Sequence, residues 1–167
     1  MKKILVMIVS LFMVVGCSCS NDKAADAVEK YLNDYKGLND HVLEDIDEIY
    51  REVLKRQYRD LVYTIENEDY DGDTADVTVK ITVYDLYKVQ KDASNYLSEH
   101  PDEFLTDGEY DNDLYMEYKL EQMKNMNDTI QYNVVFHVVK QDGDWVVEQP
   151  DEEMLEKIHG VYNYDED

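Results

Sequence analysis

The sequence predicts an α+β fold, and three observations predict it. Apolar residues recur at three-and-four spacing over 24–58. The period changes to two over 61–86 and again over 130–148. Between those stretches and after the second one it returns to helical spacing, so strands and helices are segregated along the chain. The expected architecture is a pair of N-terminal helices packed on a curved antiparallel sheet, with a helical insertion between two hairpins. All of it falls in one domain over 24–167.

In the first element Ala24, Ala27, Val28, Tyr31, Leu32 and Tyr35 form the inward stripe of an amphipathic helix, and Gly37 ends it. A second helix starts near Asn39 or Asp40, either of which can cap it. It turns Val42, Leu43, Ile46, Ile49, Tyr50, Val53, Leu54 and Tyr58 inward. Strands are expected over 61–66 and 74–86, joined by the polar loop 67–73. In the second strand Ala75, Val77, Val79, Ile81 and Val83 alternate with Asp76, Thr78, Lys80, Thr82 and Tyr84, which gives one packed face and one wet face.

Helical spacing resumes over 88–99 through Val89, Ala93, Tyr96 and Leu97. A segment with Pro101 and Gly108 separates it from another helix over 111–127, whose inner side carries Tyr115, Tyr118, Met123 and Met126. The second hairpin alternates through Ile130, Tyr132, Val134, Phe136 and Val138, turns at Asp142-Gly143 and returns from Trp145. Pro150 and Asp151 open a last short helix. Glu152 and Glu153 suit its positive end, Lys157 and His159 its negative end, and Gly160 stops it.

Charge narrows the function. Among 167 residues, 39 Asp and Glu face 16 Lys and Arg, a formal −23, so the basic footprint that phosphate contacts need is missing and nucleic acid is not an expected partner. Nor is the chain an acidic disordered tail, because 44% of it is hydrophobic and periodically placed.

Lys2 and Lys3 followed by an apolar run over 4–15, broken only by Ser10, read as an export signal too short to span a bilayer. The run ends in Val14-Val15-Gly16-Cys17, which resembles the lipobox of bacterial lipoproteins. The resemblance implies a signal peptide over 1–16, cleavage before Cys17, and a diacylglyceryl thioether on its sulfur. The tether 17–23 would then hold the domain at the outer face of the bacterial cytoplasmic membrane. Cys19 remains a spare thiol, and no intramolecular disulfide is expected. Losing Lys2 and Lys3 leaves 14 basic residues against 39 acidic ones, a formal −25. Such a surface repels anionic headgroups, so attachment is expected from the two lipid chains and not from a basic patch.

Three segments carry a further resemblance: Gly72-Asp73-Thr74-Ala75-Asp76-Val77-Thr78-Val79-Lys80-Ile81, Val138-Val139-Lys140-Gln141-Asp142-Gly143-Asp144-Trp145-Val146-Val147 and Leu155-Glu156-Lys157-Ile158-His159-Gly160. With the element order, they resemble the nuclear transport factor two-like cone fold. More closely, the chain is similar to Gram-positive surface lipoproteins of unknown function that carry that cone behind a lipobox. Compact members of the group run almost directly from one hairpin to the next, and the helical stretch here departs from them. The resemblance implies a cavity that serves isomerases, dehydratases, binding modules or subunits of transport machinery.

Enzymes of that cone use an Asp, His or Tyr in the cavity as acid or base, which makes His137 the catalytic candidate. Its parity sets it with Gln131, Asn133, Val135 and Val139, opposite the packed run, so catalysis there would need the other face to be the enclosed one. His41, His100 and His159 read as ordinary surface or helix-end residues. The acidic loops 69–73 and 109–113 alternate oxygen ligands, but Gly72 at the fourth place and Lys80 at the bidentate place break the calcium-hand pattern. No two His share a ligating spacing, so neither metal nor cofactor is expected. Arg51, Lys55, Arg56 and Arg59 stripe the second helix as its dipole invites, or as an anion or partner site would.

Fifteen Tyr stand against three Phe, a bias that suits a surface needing an apolar ring with a polar tip. Tyr84, Tyr87, Tyr115, Tyr118 and Tyr132 mark the expected ligand or partner surface. The expected function is a lipid-anchored extracytoplasmic domain that binds a small ligand or a surface protein without catalysis. The alternatives are a cavity enzyme of isomerase or dehydratase type and an accessory subunit of a surface complex.

Overall fold

The computed structural model describes residues 23–37 and 48–165. The export signal, the Cys17 lipobox, Cys19, the tether before Lys23, His41 and the expected start of the second helix lie outside the described residues.

Helix α1 (Ala24–Lys36) buries Ala24, Ala27, Val28, Leu32 and Tyr35, the stripe its spacing dictates. Its first-turn amides would otherwise be orphaned. Ala24 N donates to Tyr70 Oη at 3.2 Å and Ala25 N to Glu68 Oε2 at 3.1 Å, both on the first strand. Helix α2 (Glu48–Arg59) buries Val53, Gln57 and Tyr58. Gln57 joins three elements: its Oε1 accepts from Tyr84 N at 3.0 Å and its Nε2 donates to Ile158 O at 3.4 Å.

Strands β1 (Val62–Asp71) and β2 (Thr74–Tyr84) pair antiparallel. The loop expected over 67–73 is a correction: β1 runs on to Asp71, a bulge between Ile65 and Asn67 breaks the register, and only Gly72 and Asp73 turn. The bulge interrupts the alternation just where the residues become polar. Those polar residues have work elsewhere, since Glu68 and Tyr70 cap α1.

Helix α3 (Leu86–Glu99) starts on Asp85, whose Oδ1 accepts from Lys88 N at 2.9 Å. A 3₁₀ turn (Pro101–Phe104) leads to a miniature hairpin of β3 (Leu105–Thr106) and β4 (Glu109–Tyr110). Its turn puts Asp107 at φ 54° and Gly108 at φ 84°, the double positive φ that Asp-Gly adopts in a two-residue hairpin. Helix α4 (Asn112–Asn125) is capped by Asp111. Strand β5 (Thr129–Gln141) turns at Asp142 and Gly143, both at positive φ, into β6 (Asp144–Val147). Helix α5 (Glu152–His159) starts on Asp151, which accepts from Met154 N, and ends at Gly160 in the left-handed region.

Among the described residues the main sheet is four-stranded and antiparallel, in the order β1-β2-β5-β6. The β2 and β5 ladder is continuous from Thr74 opposite Val139 to Tyr84 opposite Thr129. Everything from α3 to α4 is therefore one excursion from the far end of a long hairpin. Its neck is tied by Asp85 N donating to Asp128 O at 3.1 Å and by Lys88 Nζ 3.1 Å from Asp128 Oδ2.

The main core lies between α1 and the inner sheet face, where Ala75, Val77, Val79, Ile81 and Val83 meet Val134, Phe136, Val138 and Trp145. A second buried cluster, Val53, Leu86, Leu120, Met123 and Met126, fastens the excursion to α2. Among the described residues no helix is long and apolar enough to cross a membrane.

Candidate functional site in the helical excursion

Helices α3 and α4 pack side by side, and the 3₁₀ turn between them inserts Phe104, which is 3% exposed. Three tyrosines surround that ring. Tyr115 meets it edge-on with centroids 5.7 Å apart, Tyr118 lies at 5.6 Å and Tyr96 at 6.2 Å. Tyr96 stacks on Tyr118 at 4.8 Å with 20° between the planes. Offset and edge contacts of this kind add to area burial and hold the rings in place. The polar tips turn to the rim: Tyr96 Oη donates to Glu103 at 2.9 Å, and Tyr115 Oη lies 3.1 Å from Ser94 Oγ. The bond to Glu103 raises the Tyr96 hydroxyl above its ordinary pKa, and desolvation raises that of Tyr118. These four rings belong to neither buried apolar cluster.

Tyr115, Tyr118 and Lys119 stand at i, i+3 and i+4, so α4 presents them on one face. Lys119 is 8% exposed, and its ammonium lies 5.9 Å from the Tyr115 centroid. Among the described residues it has neither an ion pair nor a hydrogen bond, and desolvation lowers its pKa. Sequence reading missed this residue. Its signal was isolation, because Lys119 is the single Lys or Arg between Lys91 and Lys124 in a strongly acidic stretch.

The five predicted surface tyrosines divide. Tyr115 and Tyr118 come together in the excursion, whereas Tyr84, Tyr87 and Tyr132 lie elsewhere. Tyr84 donates to Asp60 at 3.0 Å, and the Arg56 guanidinium sits 4.2 Å from its centroid. Arg56 also donates to Lys124 O at 2.6 Å and to Asn127 Oδ1 at 3.0 Å, so this part of the basic stripe ties α2 to the end of α4. Arg59 pairs with Asp60 and Lys55 with Glu52. Tyr87 donates to Asp165 at 2.8 Å and meets Tyr164 edge-on. Among the described residues the enclosed Tyr132 hydroxyl has no hydrogen-bond partner, and burial followed by the nearby Asp85 carboxylate raises its pKa.

The histidines also separate. His137 is on the outer sheet face, its side chain 63% exposed, with Nδ1 2.6 Å from Asp76 Oδ1 across the β2 and β5 pairing. His159 is a correction: it does not complement a helix dipole from the surface but lies buried against Tyr35 and Tyr58. Its Nδ1 is 2.9 Å from Tyr58 Oη, its enclosed Nε2 has no hydrogen-bond partner among the described residues, and desolvation pushes its pKa down to about 4.

Of the two acidic loops, 69–73 belongs to the first hairpin. Along the other runs an open depression of about 250 Å³, lined by Thr106, Glu109, Tyr110, Asp111, Asn112 and Asp113. Asp111 is already engaged there: it accepts from Thr106 Oγ1 at 2.6 Å and from the Asp113 and Leu114 amides. Among the described residues no group of three His, Cys, Asp or Glu is placed to hold a metal ion.

Comparison of the chain with protein families, with curated proteins and with solved structures returns no match.

Proposed function

We propose that this chain is a lipid-anchored extracytoplasmic domain of the nuclear transport factor two-like cone type, attached through Cys17, and that it binds a small organic ligand on the α3 and α4 excursion without catalysing a reaction. The observation that carries this reading is the convergence of Tyr96, Phe104, Tyr115 and Tyr118, from three successive elements, beside a buried lysine that has no acidic partner among the described residues. Rings with polar tips, outside the main apolar core, suit recognition of an amphipathic ligand.

The inner sheet face is a less suitable place for one. Phe136, Tyr35 and Tyr58 are almost fully buried there, and Tyr31 packs against them. A cavity base at His137 finds no support in its position, because that imidazole faces solvent on the opposite side of the sheet.

Native mass spectrometry of the lipid-anchored protein, extracted gently from its own membrane, tests the reading. A small-molecule passenger that disappears in Tyr118→Ala, with the domain still folded, is the expected result. A passenger retained by Tyr118→Ala, a protein in its place, or no passenger at all would overturn it.

A further inference from the structure

Taking the aromatic cluster as the binding surface, we propose that the Lys119 amine captures aldehydes bearing an apolar or aromatic group, as a reversible imine. The argument starts from pairing. Lys55, Lys80, Lys88, Lys91 and Lys157 each hold Nζ within 3.2 Å of a carboxylate oxygen. Lys119, more buried than any of them, has no such partner among the described residues. Lysine is almost never buried unless paired, because the ammonium loses its hydration and gains nothing in exchange.

Desolvation favours the free amine, which is the nucleophilic form, and this is the usual route by which a lysine is activated toward carbonyl carbon. The nitrogen is not fully enclosed. Among the described residues the fully enclosed, unpartnered polar side-chain atoms are Tyr132 Oη and His159 Nε2, and Lys119 Nζ is not among them.

The surroundings choose the ligand class. Asp92 and Glu103 act on Tyr118 from the neighbouring helix and turn, and the whole chain is formally −23, so an anion would be repelled on approach. A neutral carbonyl compound meets no such barrier. Tyr96 and Tyr118, half-buried and packed against the buried Phe104, offer rings to its apolar group, while the Tyr115 and Ser94 hydroxyls supply polar contacts on the lysine's side of α4. The chemistry balances without an oxidant or reductant. The nitrogen lone pair bonds to the carbonyl carbon as the C=O π bond opens, a proton passes from nitrogen to oxygen to give the carbinolamine, and the carbon–oxygen bond then breaks as the hydroxyl takes the second N–H proton and leaves as water while the C=N bond forms.

The test treats the full chain with benzaldehyde at neutral pH, traps imines with cyanoborohydride and maps the modified lysines by mass spectrometry. Lys119 should be modified several-fold faster than exposed Lys124, and Lys119→Arg should lose that adduct while every other lysine reacts as before. Modification of Lys119 no faster than Lys124 overturns the imine. Lys119→Met, judged folded by circular dichroism, provides a second variant in case arginine disturbs the packing. The two readings fail separately. A slow Lys119 with a passenger still dependent on Tyr118 rejects only the imine. A fast Lys119 with no such passenger rejects the aromatic binding surface and leaves the amine's reactivity standing.

Discussion

His159 is held on one side by Tyr58 Oη, 2.9 Å from Nδ1, while its enclosed Nε2 has no hydrogen-bond partner among the described residues. Protonation would place a cation where burial offers it no compensation, which is why the folded-state pKa falls to about 4 from an ordinary value of 6.5. The sign of the pH dependence follows. Below pH 6.5 the unfolded chain takes up a proton that the folded one refuses until about pH 4, so this residue's contribution is complete above 6.5 and is lost progressively down to 4. Over that window the loss amounts to about 3 kcal/mol. Denaturant unfolding of the wild type and of His159→Leu between pH 7 and pH 4 should show a steeper fall for the wild type. Equal slopes would mean that this imidazole titrates freely in the fold. Position alone suggested the reverse, since a histidine in the last turn of a helix ordinarily profits from its charge. What decides the matter is tertiary: α5 turns that residue toward α1 and α2.

Immediately after it, Gly160 governs how α5 meets the rest of the fold. At φ 71° a side chain is strained, and a Cβ would fall 2.1 Å from the Tyr84 carbonyl oxygen and 2.8 Å from Gln57 Nε2. The Gly160 carbonyl also accepts from Tyr87 N at 2.9 Å, so the helix cap is seated on the neck of the excursion. Gly160→Ala should cost more than about 2 kcal/mol in denaturant unfolding, combining left-handed strain with a backbone clash. Gly72→Ala carries the strain without the clash, since φ is 63° and nothing lies within 4 Å, and should cost about 1 kcal/mol. Similar losses would show that contact with Tyr84 contributes little.

The elements that could be read ahead are those whose pattern is local. Strand β2 alternates without a fault and α1 keeps its stripe; α1 is found where its period places it, whereas β2 stops at Tyr84, short of the expected 74–86, because Asp85 caps a helix that begins at Leu86. The end of β1 was illegible because Glu68 and Tyr70 are chosen to receive the amides of α1, far away in sequence. Asp107-Gly108 carries the same turn signal as Asp142-Gly143, but two-residue strands leave no alternation around it. Within the site, Tyr115 and Tyr118 were legible through their spacing. Lys119 was not, because α4 distributes apolar residues all round its axis and no polar face marks the odd residue out.

For the molecule as a whole, charge and anchorage have to be considered together. On the proposed reading the mature chain carries a formal −25, and many of the described cations are already committed. Arg56 is held by the end of α4, Arg59 by Asp60, and five lysines by carboxylates. A membrane with anionic headgroups therefore repels this domain, and on the proposed reading the diacylglyceryl chains on Cys17 must hold it against that repulsion. Salt separates the two forces. Raising ionic strength from about 0.1 M to about 1 M shortens the screening length from roughly 10 Å to roughly 3 Å. A protein held by electrostatic contacts would then leave the membrane, whereas one held by acyl chains loses only a repulsion. The wild type should stay in the membrane pellet through the high-salt wash, Cys17→Ser should move to the soluble fraction at either salt concentration, and Cys19→Ser should behave as the wild type does. Retention of Cys17→Ser, or release of Cys19→Ser, would place the attachment somewhere other than the Cys17 sulfur.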